Sequence, residues 1–124
     1  MGEGSGVKAG AALILVDVIN DFFDSRGANY HPGYDTVLEA VRRLVAAARS
    51  GGTPVVHARE AHRPGPDFEY SKLPVHCVAG SWDGQPPASL EVGPEDIVVL
   101  KRRYSAFFAT DLDLLLRERG VRRL

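Results

Sequence analysis

The chain has 124 residues, of which 44% are hydrophobic and 25% charged, with a formal net charge of −1. That length supports one domain with a buried core, and the near-balance of acids and bases excludes a general pull toward nucleic acid or an acidic membrane surface. The single cysteine, Cys77, excludes an internal disulfide and makes a cytoplasmic location the default.

Residues 1–10 (MGEGSGVKAG) read as a flexible tail, too polar for a signal peptide. Their glycines precede the first strand, whereas phosphate-binding glycines follow a strand and open a helix. The run AALILVDV from Ala11 to Val18 is nearly continuous in apolar residues, which suits a parallel strand covered on both faces. Asp24 to Gly33 reads as a loop. A helix over Asp35–Arg49 follows, with Val37, Val41, Leu44, Val45 and Ala48 forming one apolar stripe. Thr36 and Glu39 have the spacing of a capping box, and Gly51–Gly52 supplies the stop.

Residues 53–58 (TPVVHA) read as a second strand, so strand, helix and strand make a βαβ unit. Residues 59–95 are proline-rich and without a clear period, and a loop of that length in a compact domain usually carries function. Residues 97–100 (IVVL) make a third strand. Thr110 then caps a helix that turns Leu112, Leu115 and Leu116 inward and ends at Gly120. Val121–Leu124 reads as the approach to a fourth strand. The pattern is α/β, a three-layer Rossmann-like parallel sheet.

In open parallel sheets, ligands bind outside the carboxyl ends of the strands. Asp17 closes the first strand, His57 lies near the end of the second, and Lys101 follows the third. Burying Asp17 is costly unless it is paired, and Lys101 is a candidate partner. Spacing alone leaves catalysis and a structural ion pair both open. His31 and His57 have no partner that the sequence names.

Three stretches resemble the isochorismatase-like cysteine hydrolases, the family of the nicotinamidase-related amidases. LILVDVINDFF is similar to the family's first-strand motif, with Asp17 on the catalytic aspartate and Asn20, Asp21 and Phe22 on the turn after it. VVLKRRYSAFFATDLDLLLRERGV is similar to the second signature, carried by Lys101, Ser105, Phe107, Thr110 and Leu112. VHCVAGSWDG resembles the His-Cys-Val-x-Gly segment of the nicotinamidase branch. Together they cover residues 11–124 in the family's order, so the resemblance implies that 11–124 is an incomplete isochorismatase-like hydrolase domain, the first half to two-thirds of the fold.

The resemblance implies cleavage of a small amide or related C–N bond by an Asp-Lys-Cys triad, in which a thiolate forms an acyl-enzyme that water hydrolyses. Asp17 would carry the thiol proton, and Lys101 would stabilise the anion and lower the thiol pKa. The family's nucleophile opens the helix after the fourth strand, a position numbered past Leu124. Cys77 matches a non-catalytic cysteine instead, and the 124 residues alone are expected to be inactive. Phe22 and Trp82 are the candidate substrate-lining rings, and Ile19 stands where the family often carries glutamine.

In the nicotinamidase branch an Asp-x-His pair and the histidine of His-Cys hold a metal ion. Here Glu60, His62 and His76 would hold zinc or iron, although glutamate replaces aspartate and a further loop histidine is absent. REAHRPGPDFE also resembles non-metal members that cleave ureido amides.

The expected partner is a small-molecule amide, with no nucleic acid and no membrane. The seven bases among residues 101–123 alternate with Asp111, Asp113 and Glu118, as on a solvated helix face. In the family's sheet the first strand is central, so an open edge along AALILV predicts a homo-oligomer. The competing expectation is a catalytically inactive remnant or regulatory module that acts only by association.

Overall fold

The computed structural model describes residues 10–124; residues 1–9, the bulk of the expected tail, lie outside the described residues. The three apolar runs form β1 (Leu13–Val16), β2 (Val55–Glu60) and β3 (Ile97–Lys101), a parallel sheet in the order β1-β2-β3. The helices are α1 (Asn20–Phe23), α2 (Tyr34–Ser50) and α3 (Leu112–Glu118). Two single 3₁₀ turns, Phe68–Ser71 and Trp82–Gly84, punctuate the long loop between β2 and β3. No helix among the described residues is long and apolar enough to cross a membrane.

The sheet carries packing on both faces, although Val16, Val98 and Leu100 at its margins stay 54%, 39% and 54% exposed. On one face Val56, Ala58 and Val99 pack with Ala106, Leu112 and Leu116. On the other, Leu15 and Val55 pack with Val45, Ala48 and Leu90. α3 and α2 therefore form the outer layers of a three-layer α/β fold.

Two details of the helices differ from the sequence reading. The helix over 34–50 starts at Tyr34, with Gly33 as its N-cap and no side-chain cap, so Thr36 falls inside the first turn and the capping box does not form. Its buried seam is also rotated: Leu38 and Val41 lie against the core with Val45 and Ala48, while Val37 and Leu44 are 46% and 55% exposed. A stripe read from periodicity alone can be one residue off. The last helix has Asp111, not Thr110, as its N-cap, with no side-chain cap; the Thr110 hydroxyl one residue earlier still accepts the Leu112 N–H at 3.2 Å, and Gly120 at φ 67° ends the helix.

The register sets the site. Val16 pairs with Ala58, and β2 continues two residues further so that Glu60 pairs with Lys101. Asp17, Glu60 and Lys101 thus share the carboxyl edge of the sheet. On the far side of β1, Ala11 forms a parallel bridge with Arg123, the Ala12 N–H donates to the Arg123 carbonyl at 3.0 Å, and the Gly10 carbonyl accepts from Arg122 and Arg123. The approach to a fourth strand is therefore laid against β1.

His57 is the third residue of β2 rather than near its carboxyl end, and it finds the partner that the sequence does not name. Its Nε2 lies 2.9 Å from Asp96 Oδ2, and Arg49 closes on the same carboxylate. Both His57 and Asp96 side chains are buried. Burial pushes the Asp96 pKa up, but hydrogen bonds from Arg49, His57 and the Gly93 amide outweigh it and hold it at about 2. A carboxylate depressed on folding stabilises the protein above its unfolded pKa and loses that contribution as pH falls through the folded value. Asp96→Asn is therefore expected to cost about 3 kcal/mol near neutrality, with its Tm converging on that of the wild type between pH 4 and 2. Thermal unfolding across that range checks it, and a pH-independent gap contradicts it.

Candidate active site

The chain leaves β1 through Asp17, whose φ of 58° lies in the left-handed region. Aspartate tolerates that conformation better than most residues, but it is still strained and needs support. The Asp17 N–H donates to the Ala58 carbonyl at 2.8 Å. Its Oδ1 accepts the Glu60 N–H at 3.0 Å, and its Oδ2 lies 2.9 Å from Lys101 Nζ. Lys101 is 1% exposed while the Asp17 side chain keeps 20% of its surface open. The lysine also donates to the Arg103 carbonyl at 3.1 Å. Burial raises the Asp17 pKa above the ordinary value, with the Lys101 hydrogen bond and charge opposing that rise. The result is an accessible carboxylate with enhanced proton affinity beside a fixed buried cation, an arrangement suited to moving a proton and holding an anion.

Glu60, His62 and His76 also come together, their ligand atoms lying within 4.8 Å of one another. A short bridge does this: the His62 N–H donates to the Cys77 carbonyl at 2.9 Å and the Ala79 N–H to the His62 carbonyl at 2.8 Å. Glu60 Oε1 is 3.0 Å from His62 Nε2 and 3.3 Å from His76 Nε2. His76 Nδ1 is 2.6 Å from the Pro74 carbonyl, which only accepts, so Nδ1 carries a proton; Nε2 faces the acceptor-only Glu60 carboxylate, donating to it when the ring is protonated and offering a lone pair to a cation when the ring is neutral. Burial lowers the His76 pKa, but the Pro74 carbonyl and the Glu60 carboxylate outweigh it and raise it. Two imidazoles and a carboxylate aimed at one point, with an outward Nδ1 already engaged, fit a divalent cation such as zinc or iron.

The candidate rings are placed apart. Phe22 meets Tyr34 edge-on at 6.5 Å, and Trp82, 43% exposed, carries the Arg26 guanidinium over its ring at 4.8 Å. Asn20 and Asp21 form a clasp: Asn20 Nδ2 donates to the Trp82 carbonyl at 2.9 Å and Asn29 Nδ2 to Asp21 at 2.9 Å. Ile19, where the family often has glutamine, is fully buried.

Cys77 is buried, and its amide donates to Asp83 at 2.9 Å. Burial pushes the thiol pKa far up, with Glu60, Asp83, Asp21 and Asp17 adding to it. A thiol held protonated among carboxylates is a poor nucleophile.

Sequence reading missed Asp67, a fully buried carboxylate that meets His62, Arg102 and Arg103. The signal in Pro64-Gly65-Pro66-Asp67 is turn chemistry alone, and its side chain does accept the Glu69 N–H, as a cap of the Phe68–Ser71 turn.

The isochorismatase domain profile matches residues 11–124, and the chain belongs to that family. It is 36% identical over 139 residues to the ureidoacrylate amidohydrolase RutB of Cronobacter sakazakii, covering 92% of this chain and 60% of that protein. The chain thus spans about 60% of the length of the curated relatives it matches. Among solved structures, N-carbamoylsarcosine amidase from Thermoplasma acidophilum superposes with a TM-score of 0.82 at 29% identity, over 90% of this chain and 62% of that one. Pyrazinamidase of Pyrococcus horikoshii in complex with zinc gives 0.76 at 26% identity, over 92% and 67%.

The clasp beside Asp17 depends on Gly27. A Cβ there would lie 2.3 Å from the Asn20 carbonyl and 2.4 Å from that of Asp21, both main chain. Gly27→Ala is expected to destabilise by about 1–3 kcal/mol and to shift amide signals of residues 17–22 in NMR spectra. Unchanged spectra and an unchanged Tm contradict this.

Proposed function

We propose that this chain carries the aspartate–lysine half of a cysteine hydrolase site that cleaves a small amide or related C–N bond, of the nicotinamide, carbamoyl-amine or ureido-acid kind. The observation that carries the reading is the Asp17–Lys101 pair at the carboxyl edge of the sheet, 2.9 Å apart with 20% of the Asp17 side chain exposed. Relatives named for ureidoacrylate and N-carbamoylsarcosine support the substrate class.

In this reading the nucleophile is a cysteine at a helix start, numbered past Leu124. Asp17 takes its proton as the sulfur attacks the carbonyl carbon, and Lys101 stabilises the resulting anion. The proton passes from Asp17 to the departing nitrogen as the C–N bond breaks, and water then cleaves the thioester. Glu60, His62 and His76 would hold a divalent cation, which when bound would supply a Lewis-acid anchor for a substrate nitrogen or oxygen. The exposed Trp82 ring and, separately, Phe22 are the rings assigned to the substrate.

In the reading frame carried through that cysteine, Asp17→Asn and Lys101→Met are each expected to lower kcat/KM for the cognate amide by about 10²–10⁴-fold. Residues 1–124 alone are expected to release no ammonia from nicotinamide or ureido substrates. Release by purified 1–124 that survives Cys77→Ala contradicts the mechanism.

A second reading, action through association, is favoured by the edge of β1. Val16 is exposed there, and among the described residues the backbone pairing on that side lies before the strand, between residues 10–12 and 122–123. An edge of that kind templates another chain. Light scattering of 1–124 should show a dimer or larger species, and a monodisperse monomer overturns this reading.

A further inference from the structure

Beyond the last ladder pair of the sheet, Glu60 with Lys101, residues 102–104 form a bend outside the strands. The Arg103 carbonyl in that bend accepts from Lys101 Nζ at 3.1 Å, the second acceptor of a buried ammonium whose first is Asp17. With the ladder ended, the direction of that carbonyl depends on what holds the rest of Arg103.

Its side chain is held tightly. Arg103 Nη1 donates to Asp67 Oδ1 at 3.1 Å and folds back onto the Arg102 carbonyl at 2.7 Å. Arg103 Nε lies 3.6 Å from Glu69 Oε2, and the guanidinium covers the Phe68 ring at 5.9 Å. Arg102 joins from the same bend, its Nε 3.5 Å from Asp67 Oδ2.

Asp67 is itself fixed. Its side chain is wholly buried, and the amides of Glu69 and Arg63 donate to it at 3.0 and 3.2 Å. His62 Nδ1 stands 3.4 Å away with no hydrogen bond. Arg63 lies just past β2, and Arg102 and Arg103 just past β3, so one carboxylate fastens the segments that leave both strands. Charge-assisted bonds of this kind are the strong ones, and the guanidinium fork gives them direction.

We propose that Asp67 is a positioning residue for Lys101. By clamping Arg103 it holds the Arg103 carbonyl on the ammonium, and so fixes where Lys101 stands relative to Asp17. The kinetic arm of the test rests on the hydrolase reading above; the spectroscopic arm does not.

Lysine-ammonium ¹H–¹⁵N spectra of residues 1–124 should show a slowly exchanging Lys101 signal, assigned by its loss in Lys101→Met. Asp67→Asn and Arg103→Met should each shift that signal and speed its exchange by about 10-fold or more, as one hydrogen bond to a charged group is lost. Arg103→Met leaves the Glu69 and Arg63 amides on Asp67, so it carries the test if Asp67→Asn does not fold. A lowered Tm with the Lys101 signal unmoved means that Asp67 only shapes its loop, and overturns the proposal. In the reading frame carried through the cysteine, Arg103→Met should lower kcat by about 10–100-fold and cost nothing further in a Lys101→Met background. An equal loss in both backgrounds overturns it. If the longer protein turns over no amide, the hydrolase reading falls, and the Lys101 signal decides the role of Asp67.

Discussion

An ammonium group buried at the end of a parallel sheet must find an anion, because leaving it unpaired costs several kcal/mol. Lys101 is in that position, and the carboxyl edge of the sheet is arranged around it. Asp17 reaches it from two strands away, across the end of β2. To do so the chain takes a left-handed turn at Asp17, a strained conformation that persists because its amide and both carboxylate oxygens are all engaged. The Arg103 carbonyl gives the ammonium a second acceptor, so its position is fixed from two directions.

Glu60 joins this pair to the histidine cluster. Its main-chain N–H holds Asp17, and its side chain meets His62 and His76. Both roles follow from one feature of register, the continuation of β2 past the end of β1 to pair with Lys101. A displacement of one residue would turn Glu60 to the other face and dissolve both sets of contacts.

The strands were legible because a buried parallel strand must be apolar on both faces, and AALILV, PVV and IVVL carry that signal. The ends of those strands, and hence Asp17 and Lys101, were legible for the same reason. Helix detail was less so: a seam that keeps Val41, Val45 and Ala48 but takes Leu38 in place of Val37 and Leu44 lies within what a 3.6-residue period leaves undetermined. The buried carboxylates were hidden because their partners are remote in sequence. Asp96 serves a histidine 39 residues away, and Asp67 an arginine 36 residues away; neither spacing has a local signature. Glu60, His62 and His76 were readable only by resemblance, since the bridge between His62 and Val78 is what folds them together.

The central claim is that Asp17 and Lys101 act as one coupled pair, and a double-mutant cycle on the stability of the chain tests it most directly. Lys101→Met strips a buried-edge carboxylate of its cation, and Asp17→Asn strips a buried ammonium of its anion, so each alone should be costly. Together they should cost less than the sum, with a coupling of about 1 kcal/mol or more. Strict additivity of the two substitutions in denaturant unfolding would contradict the pairing on which the site is built.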